Sequence, residues 1–383
     1  MDEENIIAEV QSCIDCKICL DVCDTFAVDQ NELLSPNGRL KIVDKIFNNQ
    51  DITQEEIKSI YTCTLCGLCD LACQQSIHIA DVIHASKIKL VEMGLGPLEN
   101  HNKIIKGIED QDNSVNGKRE ERLNWMPEKY RESETFETGD SDTLLFLGCM
   151  SSFRVKESAS ASYELLKEGN FNFKVFEREP CCGEYVYSAG KFNFAKKIFN
   201  ENFDLFKQYG IKNIITTCGG CFYAFNNLYP KYIQDDDIPV KHIIQVIHEL
   251  EKNGKLKFRQ SNDTVTYHDS CRTGRKIKNI DVYDEPRELL NLCATVKELK
   301  ANRELTACCG AGSGIRGVDS SLSIKIGMKI FDELETQDII TSCPLCVFNY
   351  RYVNYKTQSE YKTKYITDYL LEALKKEWKT GEM

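Results

Sequence analysis

One arrangement of cysteines constrains this chain more tightly than any other feature. Cys149, then Cys181-Cys182-Gly183, then Cys218-Gly219-Gly220-Cys221 form an ordered set of five thiols. The same order returns about 125 residues later as Cys271, Cys308-Cys309-Gly310 and Cys343-Pro344-Leu345-Cys346. The gaps are 31 and 35 residues in the first copy and 36 and 33 in the second. So close a match of order and spacing reads as an internal duplication.

Two other motifs precede it. Cys13, Cys16, Cys19 and Cys23, and again Cys63, Cys66, Cys69 and Cys73, follow C-x2-C-x2-C-x3-C, the bacterial ferredoxin spacing for a [4Fe–4S] cubane. Three thiolates at two-residue gaps wrap one cluster, and the fourth reaches across to its neighbour. Cys13, Cys16, Cys19 and Cys73 are therefore expected on one cubane, with Cys63, Cys66, Cys69 and Cys23 on the other. Asp24 and Gln74 replace the usual Pro after each run, so the turns there are expected to differ. Zinc is the competing ligand, but zinc sites favour Cys-x-x-Cys pairs far apart over four thiols within eleven residues.

Composition narrows the class. Nineteen cysteines without an export signal point to metal rather than disulfides, and the odd count weakens an all-disulfide reading. The N-terminus, Met1-Asp2-Glu3-Glu4, is acidic, so the expected location is cytoplasmic, with any membrane contact made through a partner. A net charge of −11 argues against a nucleic-acid binder. No apolar run of about 18 residues is present, so no direct membrane span is expected.

Along the chain, residues 1–95 read as a helical cluster carrier. Leu40, Val43, Ile46 and Phe47, then Ile52, Ile57 and Ile60, then Ile79, Val82, Ile83, Ile88 and Val91 recur at helical spacing. Residues 96–142, opening at Gly96-Pro97, are polar and read as a linker anchored by Trp125. Strand–helix alternation then gives two α/β units, residues 143–255 and 256–383. Strands are expected at 143–147, 173–176 and 213–217, and again at 264–267, just before Cys308 at 305–306, and at 338–341. All five thiols of each set would lie beyond carboxyl ends of strands, where open α/β sheets bind ligands.

Vicinal cysteines point apart and do not readily serve one tetrahedral zinc. Five thiolates also exceed the four a cubane takes, so each set suits an unusual iron–sulfur cluster or a cubane with a spare thiol. A vicinal disulfide switch, or zinc with extra core thiols, is the alternative. Gly183 and Gly310 are expected to let the backbone approach the metal. Eighteen cysteines fall in these motifs, leaving Cys293 as a buried inert thiol.

On these residues the chain resembles the heterodisulfide reductases of methanogenic archaea. Cys149…Cys181-Cys182-Gly183…Cys218-x-x-Cys221 is similar to their CCG domain. The two ferredoxin runs ahead of it are similar to the layout of the one-chain catalytic subunit of the membrane-linked enzyme. The resemblance covers nearly the whole chain. It implies an α/β protein with an all-α N-terminal part: a helical ferredoxin-like two-cluster domain, then two duplicated Rossmann-like CCG halves related by pseudo-two-fold symmetry. It implies two cubane [4Fe–4S] clusters and two noncubane [4Fe–4S] clusters, one of the latter in each five-cysteine set.

The implied reaction is reductive cleavage of the coenzyme M–coenzyme B heterodisulfide, or a related thiol conjugate, between the two CCG clusters. Electrons would enter through the cubanes from an electron-donating partner, either a b-type cytochrome membrane subunit or a soluble flavoprotein. Iron would act as a Lewis acid toward each departing sulfur. The alternative is an electron-transfer subunit of a flavin-linked glycolate, lactate or glycerol-3-phosphate dehydrogenase. Two intact five-cysteine sets favour the enzyme. Arg154, Arg272, Arg275 and Arg316 lie near cluster motifs and are candidates for substrate anions, against surface or ion-paired roles. His268 is a candidate proton donor, against a structural role at a strand end. Gly312-Ser313-Gly314-Ile315-Arg316-Gly317 fits G-x-G-x-x-G but not in a dinucleotide-binding context, and is read as flexible backbone around the second cluster.

Overall fold

The computed structural model of this chain describes residues 3–234, 237–277 and 280–375. The N-terminal part is helical, and its helices start where their capping residues stand. Ser35 accepts the Gly38 N–H to open Pro36–Phe47, with Pro36 in the first turn. Thr53 and Glu56 form a capping box that opens Gln54–Tyr61. With Ile79–Glu92, these helices bury Leu40, Val43, Ile46, Ile57, Ile60, Val82 and Ile83 in a core of their own. The ferredoxin-type loops lie between these helices, each turning into a short helix through a left-handed residue, Lys17 or Gly67.

The C-terminal part holds seven short strands among the described residues: β1 (Thr143–Phe146), β2 (Asn213–Thr216), β3 (Val240–His242), β4 (Thr264–His268), β5 (Thr295–Glu298), β6 (Asp338–Thr341) and β7 (Lys362–Tyr365). They form two parallel sheets ordered β1-β2-β3 and β5-β4-β6-β7. Lys174 makes a single parallel bridge to Leu144, beside β1 where β5 stands beside β4. The two halves therefore share one strand order, with the outermost strand of the first reduced to that bridge.

Two expected strands differ. Residues 173–176 supply only the Lys174 bridge, and Arg303–Leu305 is a 3-10 turn. The strand of that region is β5, whose residues Thr-Val-Lys-Glu are all at least partly exposed and so lack the apolar run that marks a buried strand. The region read as a linker also carries a helix, Glu99–Gln111, which buries Ile105 and Ile108. Further along, Trp125 is buried and packs 5.5 Å from the Tyr163 ring, as an anchor should.

One continuous apolar core runs through both halves. The helices Lys156–Glu168 and Ile366–Lys375 pack across it, and the Tyr365 hydroxyl donates to the Thr217 carbonyl at 2.6 Å. A smaller cluster, Ile315, Leu322 and Ile326 against Val28 and Leu34, seals the helical part to the second half. No helix among the described residues is long and apolar enough to cross a membrane.

Candidate functional site

The eight ferredoxin-type thiols sort into two cavities. Cys13, Cys16, Cys19 and Cys73 line one, and Cys23, Cys63, Cys66 and Cys69 line the other. Each fourth cysteine is thus carried to the opposite group. Four thiols per cavity fit a [4Fe–4S] cubane. The first group is the outer one: Cys16 is exposed, and Ile14, which lines the same cavity, is 59% exposed.

In the two repeated sets the single cysteines lie two to three residues past β1, β2, β4 and β6. Cys218 and Cys343 are the N-cap residues of Gly219–Tyr223 and Pro344–Thr357, so each Cys-x-x-Cys spans a helix start. The vicinal pairs sit instead on longer loops, well beyond any strand. In both sets hydrogen bonds from neighbouring thiols hold the second cysteine of the pair well below the ordinary thiol range. Cys181 and then Cys221 act on Cys182, while Cys308 and then Cys346 act on Cys309. The duplicated sequence therefore folds into the same thiol arrangement twice.

Gly183 and Gly310 are also required by the packing around them. Both take left-handed backbone, φ +81° and +83°, and their N–H groups donate to Cys181 Sγ and Cys308 Sγ at 3.4 Å. A Cβ on Gly183 would lie 2.7 Å from the Phe199 ring, and one on Gly310 2.7 Å from the Ser323 carbonyl oxygen. The crowding that excludes a side chain comes from packed protein.

Three of the four thiol groups are joined in series. Cys66 packs against the cluster that contains Cys308, and the Cys308 thiol holds the Cys66 thiol down to about 6. The Cys218 thiol likewise holds that of Cys343 well below the ordinary thiol range, joining the two repeated sets. Asp24, immediately after Cys23, is buried at the first junction, where its carboxylate accepts the Cys308 N–H at 2.7 Å and Lys329 Nζ at 2.8 Å. Its place after the fourth cysteine singled it out in the sequence, but nothing there predicted a partner 284 residues away.

A cavity of about 140 Å³ opens in front of the first set. All five of its thiols, Cys149, Cys181, Cys182, Cys218 and Cys221, line the wall, whereas no thiol of the second set does. The second half contributes Ser313, Gly314, Arg316 and Leu345. The Gly312–Gly317 stretch, expected around the second cluster, also walls this cavity. The expected linker also contributes, since Ser114 lines the cavity with its hydroxyl 3.2 Å from Cys149 Sγ. Behind the β1 turn, Glu179 accepts the Leu147 and Gly148 N–H groups at 2.7 and 2.8 Å and pairs with buried Arg122 at 3.0 Å.

Of the residues expected at a substrate, only Arg316 lines the cavity. Its guanidinium lies over the Phe348 and Tyr352 rings, and Nη1 has no hydrogen-bond partner among the described residues. Arg154 is exposed and donates to the Val115 carbonyl at 2.7 Å. Arg272 is ion-paired with Glu184 at 2.8 Å over the Tyr223 ring. Arg275 donates to the carbonyls of Cys66, Glu304 and Thr306 and so ties the helical part to the second half. His268 is buried, its Nε2 3.1 Å from the Ala307 carbonyl oxygen and its ring edge-on to Tyr350. It is enclosed by protein and outside the cavity, as a structural histidine would be.

Comparison with known proteins agrees with this construction. Residues 143–226 and 265–351 each match the cysteine-rich domain family CCG, and residues 9–77 match a 4Fe-4S dicluster domain. A subunit of the dihydromethanophenazine:CoB–CoM heterodisulfide reductase from Methanosarcina mazei is 28% identical, with 91% of each chain covered. Its counterpart from Methanosarcina barkeri is 27% identical with the same coverage. The EtfAB:quinone oxidoreductase of Syntrophomonas wolfei is 31% identical over 59% of this chain and 32% of its own length.

Proposed function

This chain belongs to the CCG-domain iron–sulfur oxidoreductases, the family of the heterodisulfide reductase catalytic subunit, and on that premise we propose that it reductively splits a small-molecule disulfide of the coenzyme M–coenzyme B type. The observation that carries this reading is the series of thiol contacts, Cys66 to Cys308 and Cys343 to Cys218, that ends at a solvent-open cavity walled by five thiols. A chain that only passed electrons between proteins would not need a small-molecule cavity at the end of the series.

Cys13, Cys16, Cys19 and Cys73 would hold one cubane, and Cys23, Cys63, Cys66 and Cys69 the other. Cys149, Cys181, Cys182, Cys218 and Cys221, and likewise Cys271, Cys308, Cys309, Cys343 and Cys346, would each hold a noncubane [4Fe–4S] cluster in halves related by pseudo-two-fold symmetry. We take residues 1–95 as the cubane carrier, 96–142 as the connection, and 143–255 and 256–383 as the halves. When bound, the clusters supply single-electron carriers and irons that can accept sulfur as Lewis acids.

The chain's own residues do the rest. Arg316 receives an anionic arm of the substrate, since its guanidinium is held against aromatic faces with a donor to spare. Ile104, Val115, Met150 and Leu345 keep water from the S–S bond. Ser114 fixes the Cys149 side chain. A one-electron donor, cytochrome or flavoprotein, would dock over the exposed loop at Cys16, and any membrane contact would be made through it.

The likeness to EtfAB:quinone oxidoreductase supports a second reading, an electron-transfer subunit of a flavin-linked dehydrogenase. Iron and acid-labile sulfide of anaerobically purified protein, with EPR of the oxidised form titrated with coenzyme M or coenzyme B, separate the two. About sixteen irons and a thiol-dependent paramagnetic signal are expected of the reductase. About eight irons and no response to thiols would put the electron carrier ahead.

A further inference from the structure

The duplication has diverged at one place that faces the cavity. Glu184 and Tyr185 follow Cys181-Cys182-Gly183, where Ala311 and Gly312 follow Cys308-Cys309-Gly310. The first half thus adds two polar side chains to the wall, and the second removes them. Glu184 is occupied, by Arg272 at 2.8 Å and the Ser188 hydroxyl at 2.5 Å. Tyr185 is not. Its ring lines the cavity, and its hydroxyl oxygen is buried without a hydrogen-bond partner among the described residues.

An unpaired buried hydroxyl costs free energy, so purely structural phenols are normally paired. Tyr187, two residues on, is paired: its hydroxyl is 3.1 Å from that of Tyr232. The opposite wall is shaped around the Tyr185 hydroxyl. Gly314 takes φ +75°, and a Cβ there would lie 2.7 Å from the Tyr185 oxygen. The glycine-rich wall leaves the phenol its place and supplies it with no acceptor. A ligand in the cavity would.

We propose that Tyr185 is a catalytic residue whose hydroxyl donates a hydrogen bond to the substrate sulfur that gains negative charge as the S–S bond breaks. This rests on the disulfide-reductase reading. The overall step is RSSR′ + 2 e⁻ + 2 H⁺ → RSH + R′SH. The electrons come from the one-electron donor, both protons come from solvent, and Tyr185 keeps its own. A hydrogen bond to a charged acceptor is stronger than one to a neutral acceptor, so the contact tightens as the bond breaks. Its loss should therefore lower kcat more than it raises KM.

The test uses the full chain, purified anaerobically, as wild type, Tyr185→Phe and Tyr187→Phe, each first checked for equal iron and sulfide. Oxidation of reduced methyl viologen by the coenzyme M–coenzyme B heterodisulfide gives kcat and KM. Calorimetric titration with 2-mercaptoethanesulfonate gives thiol affinity without turnover. Tyr185→Phe is expected to lose about tenfold or more in kcat, with KM within about twofold of wild type and thiol affinity reduced severalfold. Tyr187→Phe is expected to match wild type in all three. Equal kcat and affinity in wild type and Tyr185→Phe would overturn the assignment, as would equal losses in both variants. If wild type neither binds the thiol nor consumes the disulfide, the reductase reading fails and takes this role with it.

Discussion

The Cys66 and Cys308 side chains meet across the seam between the helical part and the second half of the duplication. The seam around it is charged and closely tied. Arg275 spans it to the Cys66 carbonyl at 2.9 Å, Asp24 accepts the Cys308 N–H, and Lys58 meets Asp319 at 2.8 Å. This is where electrons held by the ferredoxin-type loops would leave the helical part.

Arg275→Met removes three guanidinium hydrogen bonds to carbonyl groups, at 2.6 to 2.9 Å, and leaves those acceptors unpaired. The expected loss is about 3 kcal/mol of stability. A denaturation midpoint measures it, and viologen-linked turnover should fall with iron content unchanged.

Arg316→Gln keeps a polar group in the cavity but removes the cation. For a disulfide with an anionic arm, KM should rise about ten- to a hundredfold with kcat nearly unchanged. An uncharged disulfide such as that of 2-mercaptoethanol should be indifferent to the change. Steady-state kinetics on both substrates checks it.

Cys293→Ala tests the division of the nineteen cysteines. Cys293 is buried in the second half and donates its S–H to the Leu289 carbonyl at 3.5 Å. Iron, sulfide and EPR spectra should be unchanged, with a stability cost of about 1 kcal/mol. A lower iron content would mean that a nineteenth ligand had been overlooked.

Acid should destabilise the fold through two buried histidines. Burial holds the His84 and His101 imidazoles down to about 4, so both are neutral in the folded chain. Their unfolded value is about 6.5, so below that the unfolded chain binds the extra protons. The stability they contribute is complete above pH 6.5 and is lost as the pH falls towards 4, at up to about 1.4 kcal/mol per pH unit for each. His84→Gln, which keeps a donor for the Tyr187 carbonyl, should flatten a stability–pH curve by one such increment.

Much of this protein is legible in the order of its residues. The motif spacing predicts which ferredoxin-type thiols share a cavity, including the exchange of Cys23 and Cys73, because spacing along a chain sets how far a thiolate can reach. The apolar runs at 143–147, 213–217 and 338–341 mark buried strands, because strands covered on both faces must be apolar. The outer strands β5 and β7 are not legible. Half-exposed strands such as Thr295–Glu298 and Lys362–Tyr365 have no continuous apolar run to betray them.

The chemistry of the site divides in the same way. The kinds of donor, their number and their duplication belong to the sequence, since only cysteine supplies thiolate and local spacing decides the groups. Which group meets which, and which faces solvent, was decided by packing between residues hundreds of positions apart. Asp24 on Cys308, Arg275 on Cys66 and Gly314 against Tyr185 have no local pattern that could predict them. The same packing separated Arg316 from Arg272 and Arg275: all three are cations near cysteine motifs, but only Arg316 lines the cavity, and the other two are held by a carboxylate and by carbonyl oxygens.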